Sequence, residues 1–249
     1  MPSSMPLIAV CFFLSGFSAL VYQSAWASYL GLVFGTSHLA IATVLAAYMF
    51  GLAAGALIAS KLVQKLHRPV RMYGLLEGLI AISALLVPLL IGLSQHLYIA
   101  LFGGQPYPGA SQNLAQPAYF LGTTFLVLLV PTVAMGATLP LLARYLVRSE
   151  ESIGSGVGLL YGLNTFGAVS GVLVSGFLLL PSLGLGKTTY IAVATNVLIF
   201  FLILWRSGEL EVATEAQKQA AGPPAFHRMY ALAMFTGAVS FSLEVYWTR

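Results

Sequence analysis

Two glutamates inside long apolar stretches are the residues of this chain whose position points most directly to chemistry. Glu77 lies in the third apolar stretch of the sequence and Glu244 in the last. A charged side chain at the centre of a bilayer costs at least ~2.5 kcal/mol on insertion scales, so a carboxylate there is expected to carry a function. Other roles stay open: Glu77 could pair with Arg71 or Arg68 or stay protonated against a neighbouring helix, and Glu244 could serve packing instead of a proton or cation site.

Further polar and aromatic side chains lie in the first, second and fifth apolar stretches. Together they could line an amphipathic cavity for a cationic or aromatic ligand. The alternative is that they form hydrogen bonds between helices. With the two glutamates, the candidate intramembrane polar site comprises Tyr22, Gln23, Trp26, Tyr48, Glu77, Tyr161, Asn164 and Glu244.

The residue sets used for soluble catalysis and for metal binding are missing from the sequence. The chain has no Asp, no Gly-rich turn leading from a strand into a helix, and no Ser/His/acid set. Its single cysteine, Cys11, has no partner for a disulfide or a cysteine metal cluster, and neither His38 nor His96 has a carboxylate beside it. We therefore predict no catalytic, cofactor-binding or metal-binding residues and no cofactor.

The composition predicts an all-α integral membrane protein. Hydrophobic residues make up 59% of the chain and charged residues 7%, which is too little polar surface to cover a soluble globule. A helical span needs roughly 20 mostly apolar residues, and the continuous runs lack the alternation of barrel strands. About seven transmembrane helices are predicted, over 6–34, 39–63, 72–102, 119–146, 156–180, 188–205 and 231–249.

The basic residues predict the orientation of these spans. They concentrate at the second, fourth and sixth connections, whereas the other connections carry only Lys187. By the positive-inside rule the even connections and the N-terminus are cytoplasmic, and the net charge of +4 reflects topology and not a nucleic-acid partner. The residues concerned are Lys61, Lys65, Arg68, Arg71, Arg144, Arg148, Arg206, Lys218 and Arg228.

The last apolar stretch repeats the first. Gly237, Glu244 and Trp247 have the same spacing as Gly16, Gln23 and Trp26, so a second repeat is predicted to begin there. The predicted organisation is a six-helix membrane repeat over 1–206, a cytoplasmic inter-repeat linker over 207–227 whose first part could be a short helix, and the first helix of a second repeat over 228–249.

Small residues predict where helices pack. The second stretch carries one pair of glycines four residues apart, and the fifth carries glycines on two faces. Such faces let helix backbones approach closely in lipid. The glycines are Gly51 and Gly55, then Gly154, Gly158 and Gly162, and finally Gly167 and Gly171.

Four ordered strings of this sequence resemble the bacterial membrane-fused spermidine synthase-like proteins. The first, fourth and fifth stretches and the opening of the second repeat all contribute, so the resemblance covers nearly the whole chain. The strings are 16–23 with Trp26 and 30–37; Pro131, Thr132 and 135–141 with Arg144; Leu160, Tyr161, Asn164, Thr165, Gly167, Ala168, Gly171, Gly176, Phe177, Leu180, Pro181, Leu183 and Gly184; and 244–249.

The resemblance implies a facilitator-like half bundle in the bacterial inner membrane, multi-pass with a cytoplasmic N-terminus. It also implies a Rossmann-like domain, elsewhere, of the kind that uses decarboxylated S-adenosylmethionine to extend putrescine. Gln64 stands where the facilitator pattern has an Asp, which speaks against the standard gating latch. The leading interpretation is a membrane module that anchors or feeds this catalytic region. Half of a facilitator-type transporter, or a non-catalytic subunit packed in a larger membrane complex, are the alternatives.

The expected partners follow from these interpretations. They are the lipid bilayer, a second membrane repeat or a partner membrane subunit, and a soluble Rossmann-like domain.

Overall fold

The computed structural model describes residues 5–34, 38–103, 114–146 and 150–215, and these residues form helices without a strand. A 3₁₀ turn, Val63–Lys65, follows the second helix, and a π-helical turn, Ser175–Leu179, follows the fifth. The helices are α1 Met5–Phe34, α2 His38–Leu62, α3 Pro69–Phe102, α4 Ala115–Leu146, α5 Glu150–Val174 and α6 Leu180–Glu215.

The described residues contain five helices that are long and apolar enough to cross a bilayer, where the sequence predicted about seven. The last of them, Gly156–Gly208, covers both the fifth and the sixth predicted spans. The seventh predicted span lies outside the described residues. Many large apolar side chains face outward, among them Leu126 and Phe177, which are 73% and 82% exposed. Such a surface suits lipid and not water, so the helices indicate a membrane protein.

Gly184 divides the long stretch that contains the fifth and sixth predicted spans. Its backbone has φ 74° and ψ 177°, a non-helical conformation open to glycine but costly for residues with a Cβ. Helix contacts on the two sides of Gly184 run in opposite senses. Before the break, α5 packs parallel to α1, because Gly167 contacts Phe13 and Gly171 contacts Phe17. After the break, α6 packs antiparallel to α3, because Gly74 contacts Ile203 and Gly78 contacts Phe200.

The directions of the other helices follow from the same kind of contact. Helices α1 and α3 are parallel, because Phe12 meets Tyr73 and Ser15 meets Glu77. Since α1, α3 and α5 share one direction and residues 196–203 of α6 oppose them, the chain reverses between α5 and the part of α6 that follows Gly184. The even helices α2 and α4 are parallel to each other, with Gly51 at Thr132, Gly55 at Val133 and Ala137, and Leu52 at Gly136.

Two of the predicted glycine faces make close helix contacts. A Cβ added at Gly51 or Gly55 of α2 would collide with α4, and one added at Gly167 or Gly171 of α5 would collide with backbone of α1. The other predicted α5 face has no close contact with the described residues, none of which lies within 4 Å of an added Cβ at Gly158 or Gly162.

Helix α6 extends further than its apolar run. Its helical conformation continues to Glu215, so the first part of the predicted linker continues α6 as helix. Leu210, in that part, is buried in a cluster with Val70 and Tyr73 of α3 and Ile203 of α6. Tertiary packing therefore carries the helix beyond the hydrophobic stretch that predicted it.

We predict that Gly167→Ala destabilises the protein and that Gly162→Ala, on the same helix, does not. The added methyl group at residue 167 meets the Phe13 carbonyl, and overpacking of this kind costs about 1–3 kcal/mol. At residue 162 the methyl group meets no described residue, and alanine is the better helix former by ~0.8–1.0 kcal/mol. Thermal unfolding of the complete protein in detergent measures both. Equal midpoints for the two variants would contradict the α1–α5 contact.

Candidate intramembrane polar site

Glu77 lies at the meeting point of three helices. Its side chain on α3 is 0% exposed. The hydroxyl of Ser15 on α1 donates a hydrogen bond to Oε1 at 2.6 Å, and the amide Nδ2 of Asn196 on α6 donates one to Oε2. Tyr73, one turn earlier on α3, lies on the same face and stacks edge-on against Phe12 of α1 with ring centroids 6.2 Å apart. Each carboxylate oxygen is therefore bonded by a different neighbouring helix.

Glycines on both sides of Glu77 allow α6 to come close enough for this contact. A Cβ at Gly74 would lie 2.9 Å from Cγ2 of Ile203, and a Cβ at Gly78 would lie 2.7 Å from Cδ2 of Phe200. Asparagine has a short side chain, so Asn196 reaches the carboxylate only if the two helix backbones are near. The spacing of Gly74, Glu77 and Gly78 thus combines a close helix approach with a buried acid.

The partners of the Glu77 carboxylate are neutral. Burying an acid without partners is very costly, and hydrogen bonds to its charged form contribute more than bonds between neutral groups. The sequence left open a pairing with Arg71 or Arg68. Arg71 lies six residues earlier, about 9 Å along α3 at 1.5 Å per residue, and its side chain is exposed. The hydrogen bonds to the two carboxylate oxygens come instead from Ser15 and Asn196.

Two buried oxygen atoms near Glu77 have no hydrogen-bond partner among the described residues, namely the Tyr22 hydroxyl and the Oδ1 atom of Asn196. The Tyr73 hydroxyl, one turn from Glu77 on α3, is placed to donate to its carboxylate. Buried polar atoms normally find a partner, so the two unpaired oxygens are available to a further donor or to an ion. Carboxylate, amide and phenol oxygens together are suited to a proton or to a hard cation.

Three other predicted residues form an aromatic group on α1 and α2. Tyr22 and Trp26 stack with ring centroids 5.1 Å apart and an interplanar angle of 16°. Tyr48 of α2 donates from its hydroxyl to the Ala19 carbonyl at 3.0 Å. Both Trp26 and Tyr48 are buried in the cluster that also holds Tyr22. Tyr22 therefore connects this aromatic group to the surroundings of Glu77.

Three further residues of the predicted site are described, and none of them has a hydrogen bond to Glu77. Asn164 of α5 donates to the Phe12 carbonyl at 3.2 Å and so joins α5 to α1. Tyr161, nearly one turn earlier, is 63% exposed. Gln23 is half-buried, and its Oε1 atom is buried without a hydrogen-bond partner in the described part of the chain. Glu244 lies outside the described residues. The use of the whole set as a binding site stays a prediction.

Sequence reasoning missed three residues around Glu77, namely Ser15, Tyr73 and Asn196. Asn196 is the one amide in the sixth predicted span, 188–205, and that isolation was a usable signal. Ser15 offered little signal, because serines in membrane helices usually bond to their own backbone, as Ser24 and Ser83 do here. Within the described residues, no three His, Cys, Asp or Glu side chains come together.

Fold and site together define a membrane-type helical bundle with a buried acid held by neutral donors. Comparison with known proteins gives one informative likeness. The chain is 29% identical over 211 residues to polyamine aminopropyltransferase 1 of Streptomyces coelicolor. That alignment covers 82% of this chain and 35% of the relative, so the chain spans about a third of the relative's length. No family model matches the chain, and no solved structure does.

We predict that Glu77 and Asn196 are energetically coupled. Asn196→Leu leaves a carboxylate oxygen buried without its donor, whereas Glu77→Leu with Asn196→Leu replaces both partners by apolar groups. The double variant should therefore lose less stability than the sum of the single variants, with a coupling of about 1.5–3 kcal/mol. Unfolding of the complete protein by detergent titration gives the free energy of unfolding of the parent, the two single variants and the double variant, and the coupling follows from these four values.

Thr195→Val is the matched control for this cycle. The Thr195 hydroxyl bonds to the Ile191 carbonyl of its own helix, so its removal should add to Glu77→Leu without coupling. Additive effects of Glu77→Leu and Asn196→Leu would show that the contact has no energetic role.

Proposed function

We propose that this chain is the membrane module of a spermidine synthase-like protein related to polyamine aminopropyltransferases, and that it anchors or feeds a catalytic region outside this chain. The observation that carries the proposal is the partial likeness to the Streptomyces coelicolor enzyme: most of this chain aligns with only 35% of the relative. The described residues of this chain are helical, and five of their helices are long and apolar enough to cross a bilayer. Aminopropyl transfer is then assigned to the remainder of such a protein.

The cofactor of that reaction belongs, in this proposal, to the catalytic region outside this chain. Decarboxylated S-adenosylmethionine is expected to bind a Rossmann-like domain, where a strand turns into a helix. The described part of the chain has no strand, and Glu77 is the one acid among its buried residues. Its contribution is therefore to hold a soluble domain at the membrane and to bring a cationic amine near it.

The orientation we propose is that of the bacterial inner membrane with a cytoplasmic N-terminus. Helix directions support it, because the C-terminal ends of α2 and α4 and the N-terminal end of α3 lie on the same side of the bundle. That side carries the basic residues Lys61, Lys65 and Arg144, and the positive-inside rule assigns it to the cytoplasm. A second membrane repeat or a partner membrane subunit would complete the bundle.

Cysteine labelling of intact cells tests this orientation. In the complete protein with Cys11→Ser, a cysteine introduced by Leu114→Cys should react with an impermeant maleimide, because Leu114 is 83% exposed at the end opposite the basic residues. A cysteine introduced by Lys65→Cys should react only after lysis. The reverse pattern would overturn the orientation.

Half of a facilitator-type transporter is the second candidate function. The observation that favours it is the buried acid Glu77. Near it lie two oxygen atoms without a hydrogen-bond partner among the described residues, the hydroxyl of Tyr22 on α1 and Oδ1 of Asn196 on α6. Intramembrane acids of this kind serve as proton or cation sites in transporters, where binding sites lie near the bilayer midplane. Glu244, at the repeat position of Gln23, would supply a second acid.

Two assays on membranes from cells that express the complete gene product separate these candidates. We expect the membranes to form spermidine from putrescine and decarboxylated S-adenosylmethionine above the level of an empty-vector control. Spermidine formation confined to the soluble fraction, or none at all, would contradict the membrane-module proposal.

The second assay measures uptake of labelled putrescine into sealed vesicles. If the transporter candidate holds, Glu77→Gln with Glu244→Gln abolishes coupled uptake, while Gln95→Glu, at an exposed position on α3, leaves it unchanged. Unchanged uptake in the double glutamine variant would exclude a coupling role for the two acids.

A further inference from the structure

A lateral groove on the bundle is separate from the Glu77 site. It has a volume of about 540 Å³ and lies between residues 54–62 of α2, 72–79 of α3 and 129–141 of α4. Every side chain that lines it is apolar. Ile58, Leu79 and Val130 line it and are 43–51% exposed, so the groove opens sideways onto the lipid-facing surface.

One end of the groove carries a pair of lysines. Leu62 and Leu66 line the groove, and each directly follows a lysine, Lys61 or Lys65. Both lysine side chains are exposed at the end of α2 and in the 3₁₀ turn. In the segment 61–66, leucines that line the groove therefore lie next to exposed lysines. Arg68 and Arg71, both exposed, add to the positive charge of this end.

The length of the groove matches one leaflet of a bilayer. From Leu129 to Leu141 it extends about 18 Å along α4 at 1.5 Å per residue. One leaflet accounts for ~15 Å of a hydrocarbon core that is ~30 Å thick. The lysines mark the end at which an interface with lipid headgroups is expected.

The lining and the charge of the groove favour a lipid as its occupant. The lining is apolar along about 18 Å of α4, and exposed lysines lie at one end. An extended hydrocarbon chain with an anionic headgroup matches both features, because the chain contacts the apolar lining and the headgroup lies near the lysines.

We propose that this groove binds an anionic phospholipid, with an acyl chain along α4 and the headgroup phosphate at Lys61 and Lys65. Basic pockets between transmembrane helices are suited to anionic lipid headgroups. The apolar lining supplies the chain contact, and the lysines supply the preference for a negative headgroup. This proposal does not depend on the function proposed above, because it uses neither Glu77 nor a catalytic domain.

Native mass spectrometry of the complete, delipidated protein in detergent tests the headgroup contact. We expect dioleoylphosphatidylglycerol to bind more tightly than dioleoylphosphatidylcholine. Each lysine near a headgroup contributes ~1 kcal/mol, so Lys61→Gln and Lys65→Gln should each weaken binding about fivefold, and the double variant about 30-fold. Lys187→Gln, an exposed lysine outside the groove, is the matched control and should bind as the parent does.

A matched pair of alanine variants tests the acyl-chain contact. Ala54 lines the groove, whereas its neighbour Ala53 is exposed and does not. Ala54→Leu should lose the tight binding of phosphatidylglycerol, and Ala53→Leu should keep it, with thermal unfolding used to show that both variants fold.

Four results would overturn the proposal. They are equal affinity for the two lipids, unchanged affinity in the double lysine variant, equal binding by Ala54→Leu and Ala53→Leu, and complete displacement of the lipid by an equimolar concentration of inorganic phosphate. A fifth such result is a parent protein that binds no added lipid.

Discussion

A carboxylate held inside the bundle by neutral donors fixes how α1, α3 and α6 are placed. Glu77 accepts hydrogen bonds from Ser15 on one side and Asn196 on the other, so both neighbouring helices are tied to the same residue of α3. Short side chains reach that far only when backbones approach closely, which Gly74 and Gly78 permit. A shift of α6 along its axis would leave an acid unpaired in an apolar medium, where the cost is large. The polar contact therefore determines register, and apolar packing alone would not.

Close backbone contact organises the rest of the bundle in the same way. Lipid tails are as apolar as leucine, so burying leucine gives little reason for one helix to prefer another. The pairs α1 with α5 and α2 with α4 instead meet where glycine leaves room for a facing helix. Both pairs are parallel, while the three-helix contact at Glu77 joins two parallel helices to an antiparallel one. A few small residues thus allow these particular helices to pack against each other.

Hydropathy predicted the described helices well, because a stretch that spans lipid has to be apolar along its whole length. The break at Gly184 falls in the connection that the sequence predicted between the spans 156–180 and 188–205, but the helical conformation of the residues around it was not predicted. Local pattern also failed for Tyr161, which faces outward, and for Ser15, whose partner is 62 residues away. Glu77 itself was found from sequence, since an acid in an apolar stretch is conspicuous. Its partners depended on tertiary contacts that no spacing along the chain encodes.

Helix α3 connects the two features that distinguish this bundle. Tyr73 and Glu77 lie on the face that α1 and α6 cover, whereas Met72, Leu76 and Leu79 lie on the face that lines the lateral groove. Faces with this spacing are separated around a helix of 3.6 residues per turn, so the acid and the groove do not compete for space. They do share a rigid element. Contacts made in the groove therefore bear on the position of the same helix whose other face holds the buried carboxylate.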